Sequence, residues 1–379
     1  MTTMVENKDK KVLNVPHLRF PEFSGEWEKH TIGELCEEFK SGKNIKAENI
    51  QAGGVYPVFG GNGLRGYADR YNHEGDYVLI GRQGALCGNV RFVTGKTYIT
   101  EHAIAAKATN NNYTHFLEYL FVRLNLGQFS DQSAQPGLAV NKLLKIETFA
   151  PSKEEQYKIA SLLKFLDERI ATQNKVIEDL KKLKSAIAER VYNCRTYQLY
   201  RIGDVIEQVS KRNNSMSIDK VLSVSNKLGF INQSEQFEDR IVASEDTSNY
   251  KIVYKDEFAY NPARINVGSI ARLKHFNKGI VSPMYICFRV KQGIVLDYLE
   301  YFFTTNYFFN EMQKRLEGSV RQCLSFEGLC NIPIYIPNLD EQQKMGRKVS
   351  VIMEKIDNEN RYLDSLKMQK QYLLRQMFI

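Results

Sequence analysis

Pro151-Ser152-Lys153-Glu154-Glu155-Gln156 recurs 186 residues later as Pro337-Asn338-Leu339-Asp340-Glu341-Gln342, and this echo decides the fold. The same shift carries Leu143 and Ile146 onto Leu329 and Ile332. Upstream, Phe116–Phe121 resembles Tyr298–Phe303 at a shift of 182, and Thr31–Leu35 resembles Arg201–Val205 at a shift of 170. A shift that drifts with position marks two copies whose loops have changed length. The 379-residue chain reads as a tandem duplication of a unit of roughly 180 residues.

Each copy ends in a long helical pattern. Ile159, Leu163, Leu166, Ile170, Ile177, Leu180, Ile187 and Val191 follow steps of four and three, apart from polar layers at Gln173 and Lys184. The second copy repeats the stripe as Met345, Val349, Ile352, Ile356, Leu363, Leu366, Leu373 and Met377, with Glu359 and Lys370 in the polar layers. This is a heptad-like seam. Each helix spans about 40 residues, or about 60 Å, far beyond the ~11–12 residues usual in a compact domain. Two matched long helices in one chain are expected to pack on each other. The order globule, helix, globule, helix makes an antiparallel coiled coil the natural pairing, with the globules at opposite ends of a rod. Leu162, Leu183 and Leu374 widen the stripes and offer a surface to another protein.

The globules have short β-prone runs between Gly, Asn and Asp turns: Val55–Phe59, Tyr77–Ile80, Val90–Val93 and Tyr98–Thr100, then Ile252–Tyr254, Phe258–Tyr260 and Tyr285–Val290. Helical stretches follow near 114–126 and 296–316. The expected fold is α+β. It has two similar domains of irregular β-sheet plus helices, separated by two long antiparallel helices in a pseudo-two-fold tandem repeat. Residues 1–15 form a flexible N-terminal tail, 16–151 the first domain, 152–195 the central helix, 196–337 the second domain and 338–379 the C-terminal helix.

The motifs of catalysis fail on inspection. Gly61-Asn62-Gly63-Leu64-Arg65-Gly66 matches GxGxxG, but Tyr67-Ala68-Asp69 continues it as a turn where a dinucleotide site needs a helix. It reads as a tight loop exposing Asn62 and Arg65. Gly95-Lys96-Thr97 lacks the first glycine of a phosphate loop, since position 90 is Val90. Asn261-Pro262-Ala263-Arg264 keeps two of the four positions of the tetrapeptide that grips the target amine in amino-methyltransferases. No GxSxG elbow is present, and His102 reads as a structural, hydrogen-bonded histidine. The six cysteines include no CxxC pair, and no two histidines have metal-ligand spacing, so the thiols are expected to be reduced and no metal is expected. The N-terminus MTTMVENKDKKVLN is polar and no apolar run approaches a membrane span, so the expected location is the cytoplasm, without membrane contact.

What remains is charge. The net +8 of 52 Lys+Arg against 44 Asp+Glu is weak by itself, but it is not spread evenly. Residues 40–96 carry net +4 and residues 251–291 net +6, in equivalent parts of the two copies, with Asn, Gln and Tyr interleaved. Arg and Lys suit phosphates and guanine edges; Asn and Gln suit adenine edges. Lys43, Asn62, Arg65, Arg70, Arg82 and Arg91 are therefore candidates for a first DNA surface. Asn261, Arg264, Asn266, Arg272 and Lys274 are candidates for a second.

Five stretches add a family resemblance. Val15-Pro16-His17-Leu18-Arg19-Phe20-Pro21-Glu22-Phe23-Ser24-Gly25-Glu26-Trp27 resembles the start of specificity (S) subunits of type I restriction–modification systems. So do Tyr56-Pro57-Val58-Phe59-Gly60-Gly61-Asn62-Gly63, Ile80-Gly81-Arg82-Gln83-Gly84-Ala85, and the Pro-x-x-x-Glu-Gln helix starts. The resemblance spans nearly the whole chain, duplication included. It implies two target recognition domains, each reading one half of a bipartite double-stranded DNA sequence, on a subunit without catalytic activity. It also implies docking of two methyltransferase (M) subunits and, through them, two restriction (R) subunits. S-adenosylmethionine belongs to the M subunits, and ATP and Mg to the R subunits; this chain binds no cofactor itself. Because the two globules differ in sequence, the half-sites should differ. Pseudo-two-fold symmetry would set them about one turn, ~34 Å, apart. The competing expectation is a two-headed DNA-binding regulator or coiled-coil scaffold with no enzymatic partner.

Overall fold

The computed structural model describes residues 13–130, 137–192, 194–226, 228–233, 246–319 and 322–379. The expected tail falls mostly outside them, and its last residues are tied down: Asn14 O accepts the Trp27 N–H at 2.8 Å. The chain forms two compact units. One contains the residues up to Asn174 together with Tyr362–Ile379, and the other contains Lys175–Arg361. The division cuts each long helix near its middle.

In the first unit, β1 (Glu28–Thr31) pairs antiparallel with β10 (Glu147–Ala150). A four-stranded sheet has the order β2 (Cys36–Ser41), β9 (Ala103–Ala108), β6 (Tyr77–Gly81), β7 (Val90–Val93). A second has the order β4 (Gly63–Ala68), β3 (Tyr56–Gly60), β8 (Lys96–Ile99), β5 (His73–Glu74), with β3 and β8 parallel. All of β6 is buried, which explains why Tyr77–Ile80 is a continuous apolar run and not an alternating one. The single turn α1 (Ile32–Leu35) starts in a capping box, with Glu34 Oε2 accepting the Thr31 N–H at 2.7 Å and Thr31 Oγ1 accepting from Glu34. The helix α2 (Thr114–Leu124) ends at Asn125 in the left-handed region, and the turn α3 (Val140–Leu143) precedes β10.

The second unit repeats the plan. β11 (Gln198–Arg201) pairs with β20 (Pro333–Ile336), and a four-stranded sheet runs β12 (Ile206–Val209), β19 (Ile286–Val290), β16 (Phe258–Tyr260), β17 (Ile270–Arg272). This is the order of the β2 sheet, strand for strand, so the duplication read from sequence is present in the topology. Two antiparallel pairs complete the unit, the hairpin of β13 (Leu222–Ser225) with β14 (Gly229–Asn232), and β15 (Lys251–Tyr254) with β18 (Lys278–Val281), which enclose β16 and β17 in sequence. The turn α5 (Ile202–Val205) matches α1. The expected helix at 296–316 is two helices, α6 (Leu296–Phe302) and α7 (Asn306–Gln313). Thr305 separates them, its Oγ1 accepting the Phe308 N–H at 3.0 Å as an N-cap. The short α8 (Phe326–Cys330) leads to β20.

The long helices are α4 (Lys153–Tyr192) and α9 (Leu339–Gln376). Every seam position named from the sequence is buried or half-buried, polar layers included. In the first unit, Ile159, Leu163 and Leu166 share a core with Leu366, Leu373 and Met377, beside α2 and β6. Asp167 pairs with Lys370 at 2.5 Å and Arg169 bonds the Tyr362 hydroxyl, so the two helix segments run antiparallel. Lys370 also lies 5.4 Å from the Tyr119 ring centre, and Tyr119 donates to Asp167 at 2.9 Å; this polar layer is satisfied from α2. In the second unit, Ala188 and Tyr192 share a core with Val349, beside Met345 and Met353. The widened stripe is corrected at two of its three positions. Leu374 is buried in the first core and Leu162 packs against it, while Leu183 is 49% exposed. Apolar side chains do stand out elsewhere on these helices, among them Tyr157, Phe165, Met368 and Tyr372 in the first unit.

Candidate nucleic-acid interface

The first basic segment runs from the end of β2 to the start of β8, and within it the β3–β4 hairpin lies beside the loop after β6. The hairpin turns at Gly61-Asn62, and its tight glycines have a steric cause. A Cβ on Gly61 would lie 2.7 Å from the His102 carbonyl oxygen, and Gly63 has φ +103° with the Arg91 guanidinium 3.1 Å from where its Cβ would stand. The hairpin therefore presses against the end of β6 and the start of β9, which pair through Gly81 and Ala103. Residues distant in sequence meet there. Gly60, Gly61, Asn62, Arg65, Gln83 and His102 line a cavity of about 330 Å³.

Asn62 and Arg65 are thus brought together, as the sequence suggested, with Arg91 beside the turn. Arg82 is half-buried behind them; its N–H donates to the His102 carbonyl at 2.9 Å and its Nε to the Leu138 carbonyl at 3.4 Å. Arg70 stacks over the Tyr98 ring at 6.0 Å, and Lys43 follows β2; neither lines the cavity. Gln83 and His102 do line it and were not among the candidates. His102 Nδ1 lies 3.1 Å from Gln83 Oε1, and its Nε2 lies 3.2 Å from Glu101. The signal for Gln83 was its place directly after Arg82. His102 carried none, because its neighbour arrives only through the β6–β9 pairing. The cavity offers planar amide and guanidinium groups at the exposed tip of a hairpin, a donor set suited to base edges or phosphate.

The second set is dispersed. Asn261 is 9% exposed and its Oδ1 accepts the Ala263 N–H at 3.1 Å, closing the turn after β16. Arg264 is exposed at that turn, and Asn266 follows half-buried. Arg272 is different. Its side chain is 9% exposed and its guanidinium meets Asp297, Glu300 at 3.1 Å and Asp256 at 3.9 Å, while Lys274 meets Glu300 at 2.8 Å. Arg272 and Lys274 form one wall of a cleft of about 750 Å³ with Phe258, Phe303 and Phe309 on its apolar side. Asn261, Arg264 and Asn266 lie outside that lining.

All six cysteines are unbridged. Burial raises Cys36 and Cys287 to about 12, which keeps both as inert thiols. Among the described residues no cluster of His, Cys, Asp and Glu could hold a metal, and no helix is long and apolar enough to cross a membrane.

Comparison with known proteins places this arrangement. The family model for the type I restriction modification DNA specificity domain matches twice, at residues 24–182 and 195–368. The chain is 39% identical over 180 residues to the EcoprrI specificity subunit of a type I restriction enzyme of Escherichia coli, a match covering 46% of this chain and 44% of that one. Two relatives align almost end to end. A putative type I specificity subunit of Mycoplasma genitalium is 22% identical over 93% of this chain and 94% of its own, and the MjaVIII specificity subunit of Methanocaldococcus jannaschii 24% identical over 97% and 95%. Among solved structures, the S subunit of a type I restriction–modification system from M. genitalium superposes with a TM-score of 0.68 at 19% identity, covering 96% of this chain and 99% of that one. With two matches over most of its length and the duplicated fold to go with them, the chain belongs to the type I restriction–modification specificity family.

Proposed function

We propose that each domain reads one half of an asymmetric bipartite DNA target, and that the long helices dock two M subunits and, through them, R subunits. The carrying observation is the first cavity, where Asn62, Arg65, Gln83 and His102 converge on a hairpin within a net-positive segment. Arg91 stands beside it for phosphate contact, and Arg70, Lys43 and Arg82 contribute to the same domain's DNA surface. In the second domain Arg264 and Asn266 at the β16–β17 turn take the outward role, and Lys274 stands at the cleft. Arg272 and Asn261 position that turn and cleft from within. The chain supplies specificity and no chemistry; methyl transfer with S-adenosylmethionine, and ATP- and Mg-dependent cleavage, belong to its partners on DNA in the cytoplasm. The exposed Tyr157, Phe165, Met368 and Tyr372 are large apolar groups on otherwise polar helices and suit protein docking.

Methylome sequencing with and without this gene tests the reading. One bipartite motif should lose methylation when the gene is deleted. Exchanging residues 30–150 for another recognition domain should change one half of that motif and leave the other. If both halves persist after the exchange, the modular reading fails. A regulator without enzymatic partners would leave the methylome unaltered on deletion.

A further inference from the structure

The two copies of the repeat treat one glutamate differently. Glu155 and Glu341 occupy the same place, four residues after the proline that precedes each long helix. In the first domain Glu155 is 1% exposed, and Arg19 grips it with Nε at 2.8 Å and Nη2 at 2.7 Å. Trp27 closes over the pair, its Nε1 3.4 Å from Glu155. The carbonyls of Ser24 and Gly25 hold the guanidinium, and Lys158 pairs with Glu22 one turn further along the helix. Residues 16–27 thus form a loop that delivers one arginine to the start of α4.

The second copy has no such loop. At the local shift of 170, Trp27 becomes Tyr197 and Arg19 becomes Glu189, a residue inside α4. At this place the second domain has a cavity of about 630 Å³, lined by Tyr197, Asp204, Lys291, Pro337, Asn338 and Glu341. Two of its charges are already engaged. Asp204 accepts the Arg201 N–H at 2.8 Å, and Lys291 donates to the carbonyls of Gly203 and Asp204 at 3.1 Å. Glu341 forms no ion pair among the described residues; Asp340, beside it, takes Lys344. Its carboxylate acts on Tyr197 all the same: burial first and Glu341 second push that hydroxyl up.

We infer that this cavity receives an extended, arginine-bearing segment of the M subunit, whose guanidinium pairs with Glu341 as Arg19 pairs with Glu155. A carboxylate fits a guanidinium in two parallel hydrogen bonds and repels phosphate, so the occupant is protein and not DNA. A second copy of this chain is a poorer occupant, because its own Arg19 would have to leave a buried ion pair. The inference rests on the M-subunit partnership proposed above.

The test uses the full chain and the M subunit of the same restriction–modification system, with affinity read by titration. Glu341→Gln should weaken M binding at least tenfold. On the wild-type chain, a synthetic peptide of residues 16–27 should compete with M, and the same peptide carrying Arg19→Ala should not. This second arm needs no altered protein, so it decides even if Glu341→Gln folds poorly. Equal M binding by wild type and Glu341→Gln, or equal competition by both peptides, overturns the inference and leaves the partnership standing. Absence of M binding to the wild-type chain sinks the partnership and the inference with it.

Discussion

Gln156 Oε1 accepts the backbone N–H of Tyr113 at 3.0 Å, tying the start of the central helix to the residue that opens α2. Its Nε2 donates to the Pro151 carbonyl at 2.9 Å and to Asn112 at 2.7 Å. The second copy repeats the clamp: Gln342 accepts from Val295, the residue before α6, at 2.8 Å and donates to the Pro337 carbonyl at 3.0 Å. This is the physical content of the repeated Glu-Gln. Both amides are buried, so removing one leaves a backbone N–H and a carbonyl without partners. Gln156→Ala and Gln342→Ala should each lower stability by ~1–3 kcal/mol, read as a lower urea midpoint. A loss below ~0.5 kcal/mol in either would show that the clamp contributes no more than an ordinary surface contact.

Arg272 and Arg264 stand eight residues apart and should behave oppositely. Arg272→Ala removes the cation that Asp297 and Glu300 share; Glu300 keeps Lys274 and Asp297 is 40% exposed, so the loss should be ~1–3 kcal/mol. Arg264→Ala should leave the melting temperature unchanged and weaken binding at the second half-site. Thermal denaturation alongside DNA titration separates them; a stable Arg272→Ala protein with lost DNA affinity would reverse the assignment.

At the first cavity, Arg65→Ala or Gln83→Ala should cost ~1–3 kcal/mol of discrimination at one base pair of the first half-site, with the second half-site untouched. Lys43→Ala should weaken all sequences alike and lower the salt dependence of binding by about one unit of slope. Competition titrations against single-base variants of the target, at two salt concentrations, give both quantities.

Lys184 sits in the helix seam, and burial followed by the neighbouring Lys181 charge lowers its pKa below the usual lysine value. The folded state therefore holds this proton less firmly than the unfolded chain does. Stability should rise with pH from the lowered folded value up toward 10.5, the range over which only the unfolded chain remains protonated. Lys184→Met removes that slope and should stabilise the neutral-pH protein, by at most ~1 kcal/mol because the amine is partly solvated. A melting curve set between pH 7 and pH 10 that shows identical slopes for both proteins would contradict it.

The repeat, the seam and the family motifs were legible because each is a periodic or local pattern. Heptad spacing put every seam residue at a buried or half-buried position, and the apolar run Tyr77–Ile80 marked a strand, which the structure covers on both faces. Local chemistry also misled: the stretch 296–316 reads as one helix, and the Thr305 cap that splits it is a side-chain bond to a single N–H.

By itself, then, the sequence determined that this protein is a duplicated α+β chain with two long amphipathic helices and two basic segments. Only the tertiary structure decided what each charge and polar group does. Arg272 lies in a basic stretch, yet its carboxylates come from α6, which follows β19. His102 lies nineteen residues from Gln83, and strand register brings them to 3.1 Å. Leu374 lies on the outer edge of the seam and is covered by the first domain's core. The reason is common to all three: periodicity records which face of an element is apolar, whereas the role of a polar group depends on partners that the chain delivers from a distance.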